Sequence, residues 1–162
     1  MRKVFTGLTA LLLLAVVLQF FFAGSGAFDP APNDESFGPH RSLGYLTVVL
    51  TLVTAVAGAL ARVPGRVLSL TVVVLGLVVL QPVLAVLAGG LGEAGSATTP
   101  GRLVSGLHAL NAVSIVAVLG TVIRRARELA VPAAATPRSH ASTAASPTAG
   151  SEPGAGTAEL SS

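Results

Sequence analysis

The stretch VLSLTVVVLGLVVLQPVLAVLAG, residues 67–89, decides the fold of this chain. It carries no charged side chain over a length that crosses a bilayer as a helix. Such a crossing takes about 20 apolar residues at a rise of about 1.5 Å each. Three further stretches of the same kind lie at roughly 4–23, 42–61 and 103–123. The chain has 162 residues, 52% of them hydrophobic and 10% charged. A soluble domain carries about 25% charged residues, so this composition leaves too little polar side chain to cover a surface in water. The expected fold is all-α, an integral membrane four-helix up-down bundle over residues 1–128. Residues 129–162 are expected to form a Pro/Ala/Ser/Thr-rich disordered tail, because they lack the apolar periodicity that offsets ordering entropy. His140 falls in that tail and is given no role.

Charge orients the segments. Arg2 and Lys3 precede the first, Arg62 and Arg66 lie between the second and third, and Arg124, Arg125 and Arg127 follow the fourth. Alternating segments place all of these on one side, leaving Arg41 and Arg102 on the other with Asp29, Asp34, Glu35 and Glu93. Basic residues collect on the cytoplasmic side. The expectation is a multi-pass plasma-membrane protein with both termini cytoplasmic and external loops at 24–40 and 90–102. A signal peptide is the alternative for the first segment, with small residues around Ala23-Gly24-Ser25-Gly26-Ala27. Its apolar stretch exceeds the 7–15 residues of a usual signal core, and cleavage would remove the first member of the charge alternation.

Several function classes are disfavoured. The chain has no cysteine, so it holds no disulfide, thiolate metal site or cysteine nucleophile. It has no arginine stripe with interleaved aromatics, so nucleic acid is not an expected partner. A phosphate-cradling glycine loop and a nucleophile–base pair are also missing, which argues against an enzyme. No charge sits at the membrane midplane, where transporters usually need one.

Local signals delimit the segments. Val63-Pro64-Gly65 marks a tight turn, and Pro39 suits the first turn of a helix. Pro82 interrupts the third segment and should kink it. Gly89-Gly90 and Gly92 end that segment, and Thr99 or its neighbour should cap the fourth.

Strongly polar residues within the spans are few and lie in the outer part of their segments. They are Gln19, His40, Gln81, His108, Asn111 and Ser114. The depths of Gln19, Gln81 and His108 fall within roughly 6–12 Å of the external boundary. Sequential helices of a short-looped bundle are neighbours, so the second and fourth spans should be diagonal and parallel. His40 and His108 then approach from opposite walls. Gly44 follows His40 by one turn, on the same face, and leaves room for something flat or bulky. Asn111, three residues after His108, shares that ring's face and is expected to orient it.

Two imidazoles with no thiolate or carboxylate nearby suit haem iron better than zinc, which takes four protein ligands in structural sites and three in catalytic ones. Arg41 and Arg102 at the external mouth would pair with haem carboxylates. The plainer readings stand beside this one. His40 is then an interfacial residue, and His108 a helix–helix hydrogen-bond partner, for instance of Gln81. Gln19, Gln81 and Asn111 become packing glue, and the two arginines snorkelling anchors.

Met1-Arg2-Lys3-Val4, Gln19-Phe20-Phe21, Pro39-His40-Arg41-Ser42-Leu43-Gly44-Tyr45 and Leu107-His108-Ala109-Leu110-Asn111 together resemble a family of small four-helix bacterial membrane proteins of unknown function. The resemblance covers about residues 1–128 and implies a membrane location without an activity. His40-Arg41-x-x-Gly44 is also similar to the start of a helix in one half of haem A synthase and in membrane cytochromes b. That second resemblance implies His40 and His108 as axial, metal-binding ligands. The chain departs from haem A synthase in having one four-helix unit. It also has no glutamate at helical spacing in the segment before His40, since Glu35 lies in a Gly/Pro-rich loop.

The first functional reading of the sequence is therefore a non-enzymatic structural or accessory membrane protein. The alternative is a b-type haem protein of electron transfer, with haem b as its cofactor. The lipid bilayer is the expected partner, and a membrane-protein partner or a second copy is left open.

Overall fold

The computed structural model describes residues 1–91 and 98–130, which lie in one compact unit, Met1–Pro132. Glu93, His140 and all of the expected tail beyond residue 130 lie outside the described residues. The elements are α1 (Arg2–Ala27), α2 (Asn33–Ser36), α3 (Gly38–Leu60), α4 (Gly65–Gly90) and α5 (Thr99–Ala130). Helices α1, α3, α4 and α5 are each long and apolar enough to cross a membrane. The chain is thus an all-α multi-pass membrane protein.

The helices exceed the apolar stretches at most of their ends, because the helical ladder continues through flanking polar residues once a span has nucleated. The clearest extension is α5, which continues seven residues past position 123, through Arg124 to Ala130. Helix α2 interrupts a segment expected to be a plain loop. Asp29 Oδ1 accepts from the Ala31 amide at 2.9 Å, and Ser36 Oγ donates to the Ala31 and Pro32 carbonyls at 2.9 and 2.8 Å. Those side-chain bonds turn the backbone back onto α1. The close approach needs Gly26, where a Cβ would stand 2.7 Å from the Ser36 carbonyl oxygen.

The remaining punctuation follows its chemistry. Pro39 occupies the first turn of α3, where its missing N–H costs nothing. Thr98, the neighbour of Thr99, accepts the Gly101 amide on its hydroxyl at 3.2 Å and so caps α5. Helix α3 ends with the Val63 amide bonded to the Gly58 carbonyl at 3.2 Å and the Arg62 amide to the Ala59 carbonyl at 3.0 Å. This is a Schellman ending, and Arg62 takes its left-handed position (φ 50°) where glycine is usual. Helix α4 runs unbroken through Pro82.

The four long helices run up and down. Helix α1 packs on α3 and α5, and α4 packs on the same two, so α1/α4 and α3/α5 are the diagonals. The bundle is solid toward the end that holds the chain's N-terminus. Phe5, Leu12, Val63, Val67, Leu119, Val122 and Ala126 fill that region, joined toward the middle by Val16, Val74, Val78 and Ile115. Helix α3 brings a different face to the core: Thr47, Thr51, Thr54, Ala55 and Gly58. Each of these threonine hydroxyls donates to the carbonyl four residues earlier, at 2.6–2.8 Å. A hydroxyl paired in this way is satisfied without water, and its small volume lets helices approach closely. Leucines and valines such as Leu11, Leu52, Val73, Val86 and Leu103 face outward. That arrangement is stable when the surrounding solvent is hydrocarbon.

Candidate functional site

Packing loosens toward the opposite end, the one that carries α2. A cavity of about 770 Å³ opens there among all four long helices. Its volume falls within the range of about 300–1,000 Å³ typical of ligand sites. Much of its wall is small, with Gly44 on α3, Ala85, Ala88 and Gly89 on α4, and Ala109 and Ala112 on α5. The sequence places these residues where larger ones would have closed the bundle.

His40 and His108 meet in this cavity from the diagonal helices α3 and α5. Their ring centroids are 6.3 Å apart, with the planes at 61°. Phe37, one turn before His40, stands edge-on to it at 6.3 Å. Each ring is oriented by the long helix that comes before its own in the chain. His40 Nδ1 lies 3.1 Å from the main-chain carbonyl of Gln19 on α1. His108 Nδ1 lies 3.2 Å from that of Gln81 on α4. A carbonyl only accepts, so in both rings Nδ1 carries the proton and donates. In a neutral ring so held, Nε2 is the nitrogen left with a lone pair. An imidazole whose other nitrogen donates to a backbone carbonyl is held in the tautomer that ligates metals.

The other expected site residues divide. Gln19, Gln81, Arg41 and Gly44 line the cavity. Asn111 is not among the residues lining it, and its amide does not hydrogen-bond the His108 ring. It donates instead to the Leu77 carbonyl at 2.8 Å and to Gln81 Oε1 at 2.9 Å, tying α5 to α4. The helical offset that puts Asn111 beside His108 in sequence turns its amide toward α4. Arg102 is also away from the cavity lining, exposed, and donates to Thr99 Oγ1 at 3.2 Å. Arg41 is exposed at the mouth and donates to the Asp34 carbonyl of α2. Ser114 returns its hydroxyl to the Leu110 carbonyl at 3.0 Å. At Gly44, a Cβ would meet only Gln19 Nε2, at 3.3 Å.

Three features of the site are not among the sequence expectations. One is the role of the two glutamine carbonyls, which no residue letter announces. Another is the threonine face of α3, although its spacing at 47, 51 and 54 is helical. The last is the small-residue wall of α4 and α5, whose signal is the alanines and glycines at 85, 88, 89, 109 and 112. Among the described residues, no group of three or more His, Cys, Asp or Glu could hold a metal ion. Any metal held here would depend on two imidazoles and on ligands it brought with it.

These features define a multi-pass helical membrane protein with a histidine-flanked cavity at one end. Residues 19–89 match the model of a family of unknown function (DUF6220). The matched region includes Gln19, His40, Gly44 and Gln81, and stops before His108. No curated protein and no solved structure matches the chain.

Proposed function

We propose that this protein binds a b-type haem between His40 and His108 and serves one-electron transfer at the external face of the membrane. The observation that carries the reading is the pair of neighbouring imidazoles, each with Nδ1 held by a backbone carbonyl, which leaves Nε2 as the nitrogen a neutral ring would offer to a metal. The spacing fits one metal ion. Two metal–nitrogen bonds of about 2 Å and two ring radii of about 1 Å separate ring centres by about 6 Å. The rings here are 6.3 Å apart. The donor set fits haem rather than bare zinc, because a porphyrin supplies the four remaining ligands that the protein does not. The largely apolar, small-residue wall fits a flat macrocycle.

When bound, haem iron would supply a one-electron redox couple. The chain's own residues do the rest. The Gln19 and Gln81 carbonyls hold the Nδ1 protons and fix both rings. Val16, Val78 and Ile115 keep water from the inner side of the cavity. Arg41, the one basic side chain in the described lining, offers its guanidinium to an anionic substituent at the mouth. Arg102 is left out of the site. The positive-inside bias of the sequence puts this end of the bundle outside and both termini in the cytoplasm.

A structural or accessory membrane role is the competing reading. It is favoured by the same two histidine–carbonyl bonds, which also close the α1/α3 and α4/α5 hairpins. One experiment separates them. The protein is purified from its native membranes and a reduced-minus-oxidised visible spectrum is recorded. Haem bands that disappear in both His40→Ala and His108→Ala are expected. A colourless protein from haem-replete cells refutes the proposal and leaves the structural role.

A further inference from the structure

The end of the bundle opposite the cavity carries charge that the fold leaves unpaired. Arg2 and Lys3 open α1, Arg62 and Arg66 bracket the α3–α4 turn, and Arg124, Arg125 and Arg127 lie in the polar extension of α5. All are exposed except Arg125, which is half-buried. Among the described residues, none of them is in an ion pair, and Glu128 is the one acid at this end. Neither α1 nor α4 has an acid in its first turn.

These side chains do not leave the bundle at one depth. Thr6 Oγ1 on α1 donates to the carbonyl of the fully buried Ala126 on α5, at 3.0 Å. That bond levels residue 126 with residue 6 in two helices that run in opposite directions. Arg2 lies four residues outward from Thr6, and Arg124 lies two residues inward from Ala126. At about 1.5 Å per residue, the Arg124 backbone is about 9 Å deeper than that of Arg2. Arg124 is thus level with a stretch of α1 that shows Val4 and Leu11 to the outside. It also leaves α5 on the outward side, because it continues the series Leu103, Leu110, Ala117, all exposed. Residues seven apart keep nearly the same helix face.

A charged side chain at such a depth is costly unless its head reaches water or an anion. The headgroup layer on each side of a bilayer is about 5–8 Å thick. Two basic tiers about 9 Å apart therefore straddle it, with Arg124 and Arg125 at its hydrocarbon edge and the helix-end residues at its water edge. Helix α5 packs on both α1 and α4, so Arg2, Lys3 and Arg66 flank the α5 arginines.

We propose that this end of the bundle holds the headgroups of anionic phospholipids. Arg124 and Arg125 meet the phosphodiester from the hydrocarbon side, and Arg2, Lys3 and Arg66 meet it from the water side. A guanidinium matches two phosphate oxygens with parallel N–H bonds. Acyl chains deliver a lipid phosphate to both tiers, whereas a soluble phosphate reaches only the outer one. The proposal is independent of the haem reading.

The test uses the full chain in neutral detergent, mixed with phosphatidylglycerol or phosphatidylcholine, with retained lipids counted by native mass spectrometry. Phosphatidylglycerol should be retained over phosphatidylcholine. Arg124→Gln/Arg125→Gln should weaken phosphatidylglycerol binding by about 25-fold, about fivefold for each charge. Phosphatidylcholine binding should not change. Arg124→Lys/Arg125→Lys should keep most of the affinity, and Arg102→Gln, at the opposite end, should keep all of it. Glycerophosphoglycerol, the same headgroup without acyl chains, should not compete at equal concentration.

A wild type that retains the two lipids equally overturns the proposal, and that result needs no variant to fold. So does a glutamine pair that binds as wild type does, or an equal loss in Arg102→Gln. Competition by glycerophosphoglycerol at equal concentration overturns the lipid assignment and makes this a site for soluble anions.

Discussion

Gly58 is the tightest test of the packed end of the bundle. A Cβ built there would stand 2.9 Å from Phe5 Cε2 and 3.2 Å from Cδ2. Phe5 is 1% exposed and belongs to the core cluster with Leu12, Val63, Val67 and Val122. The ring therefore has little room to retreat, and relief requires α1 and α3 to move apart. Overpacking of this kind costs about 1–3 kcal/mol. At about 2–4 °C per kcal/mol for a chain of this size, Gly58→Ala should lower the melting temperature in detergent by about 2–12 °C. Gly76→Ala on α4 is the control. Nothing lies within 4 Å of its Cβ position, so the substitution should be neutral or gain up to about 1 kcal/mol of helix propensity. Phe5→Leu removes the ring edge, and the Phe5→Leu/Gly58→Ala double variant should recover at least about 0.5 kcal/mol relative to additivity. Equal melting of Gly58→Ala and Gly76→Ala would refute the close α1/α3 contact.

Other outcomes follow from single contacts. Asn111→Leu loses two bonds from α5 to α4 and should cost about 1–2 kcal/mol by thermal or denaturant unfolding in detergent. Gly26→Ala pushes against the Ser36 carbonyl and should detach α2 from α1, seen as faster amide exchange over residues 31–37 with the helices of the bundle unaffected. Arg62→Gly relieves a non-glycine residue of its left-handed conformation and should raise stability by about 1 kcal/mol in the same melts. The chain lacks cysteine, so Glu35→Cys and Arg66→Cys can each be labelled alone with a membrane-impermeant maleimide. Labelling of position 35 in intact cells, and of position 66 only after lysis, is the pattern that external placement of the α2 end requires.

Part of the site is legible in the order of the residues. Long charge-free runs admit only helices in lipid, because every main-chain N–H and C=O must be paired within its own segment. Short loops then make consecutive helices neighbours, and that alone puts His40 and His108 on diagonal walls at one end. Both inferences depend on length and order, which a sequence states directly. Asn111 and Arg102 depart from their expected places for a common reason. Sequence spacing gives the direction in which a side chain leaves its helix, but not the rotation of that helix against its partners. A turn of α5 decides whether Asn111 reaches the His108 ring or the Leu77 carbonyl.

The sequence by itself determined the solvent, the number of spans and the end of the bundle at which polar groups gather. Tertiary structure alone decided the chemistry of that end. It selected the tautomer of both histidines through the carbonyls of Gln19 and Gln81, groups every residue possesses and no sequence distinguishes. It also paired the Gln81 side chain with Asn111 and left the Gln19 side-chain oxygen without a partner among the described residues. The physical reason is that hydrogen bonds between helices depend on relative rotation and depth to within about 1 Å, whereas hydrophobic partition into a membrane depends only on what a segment is made of.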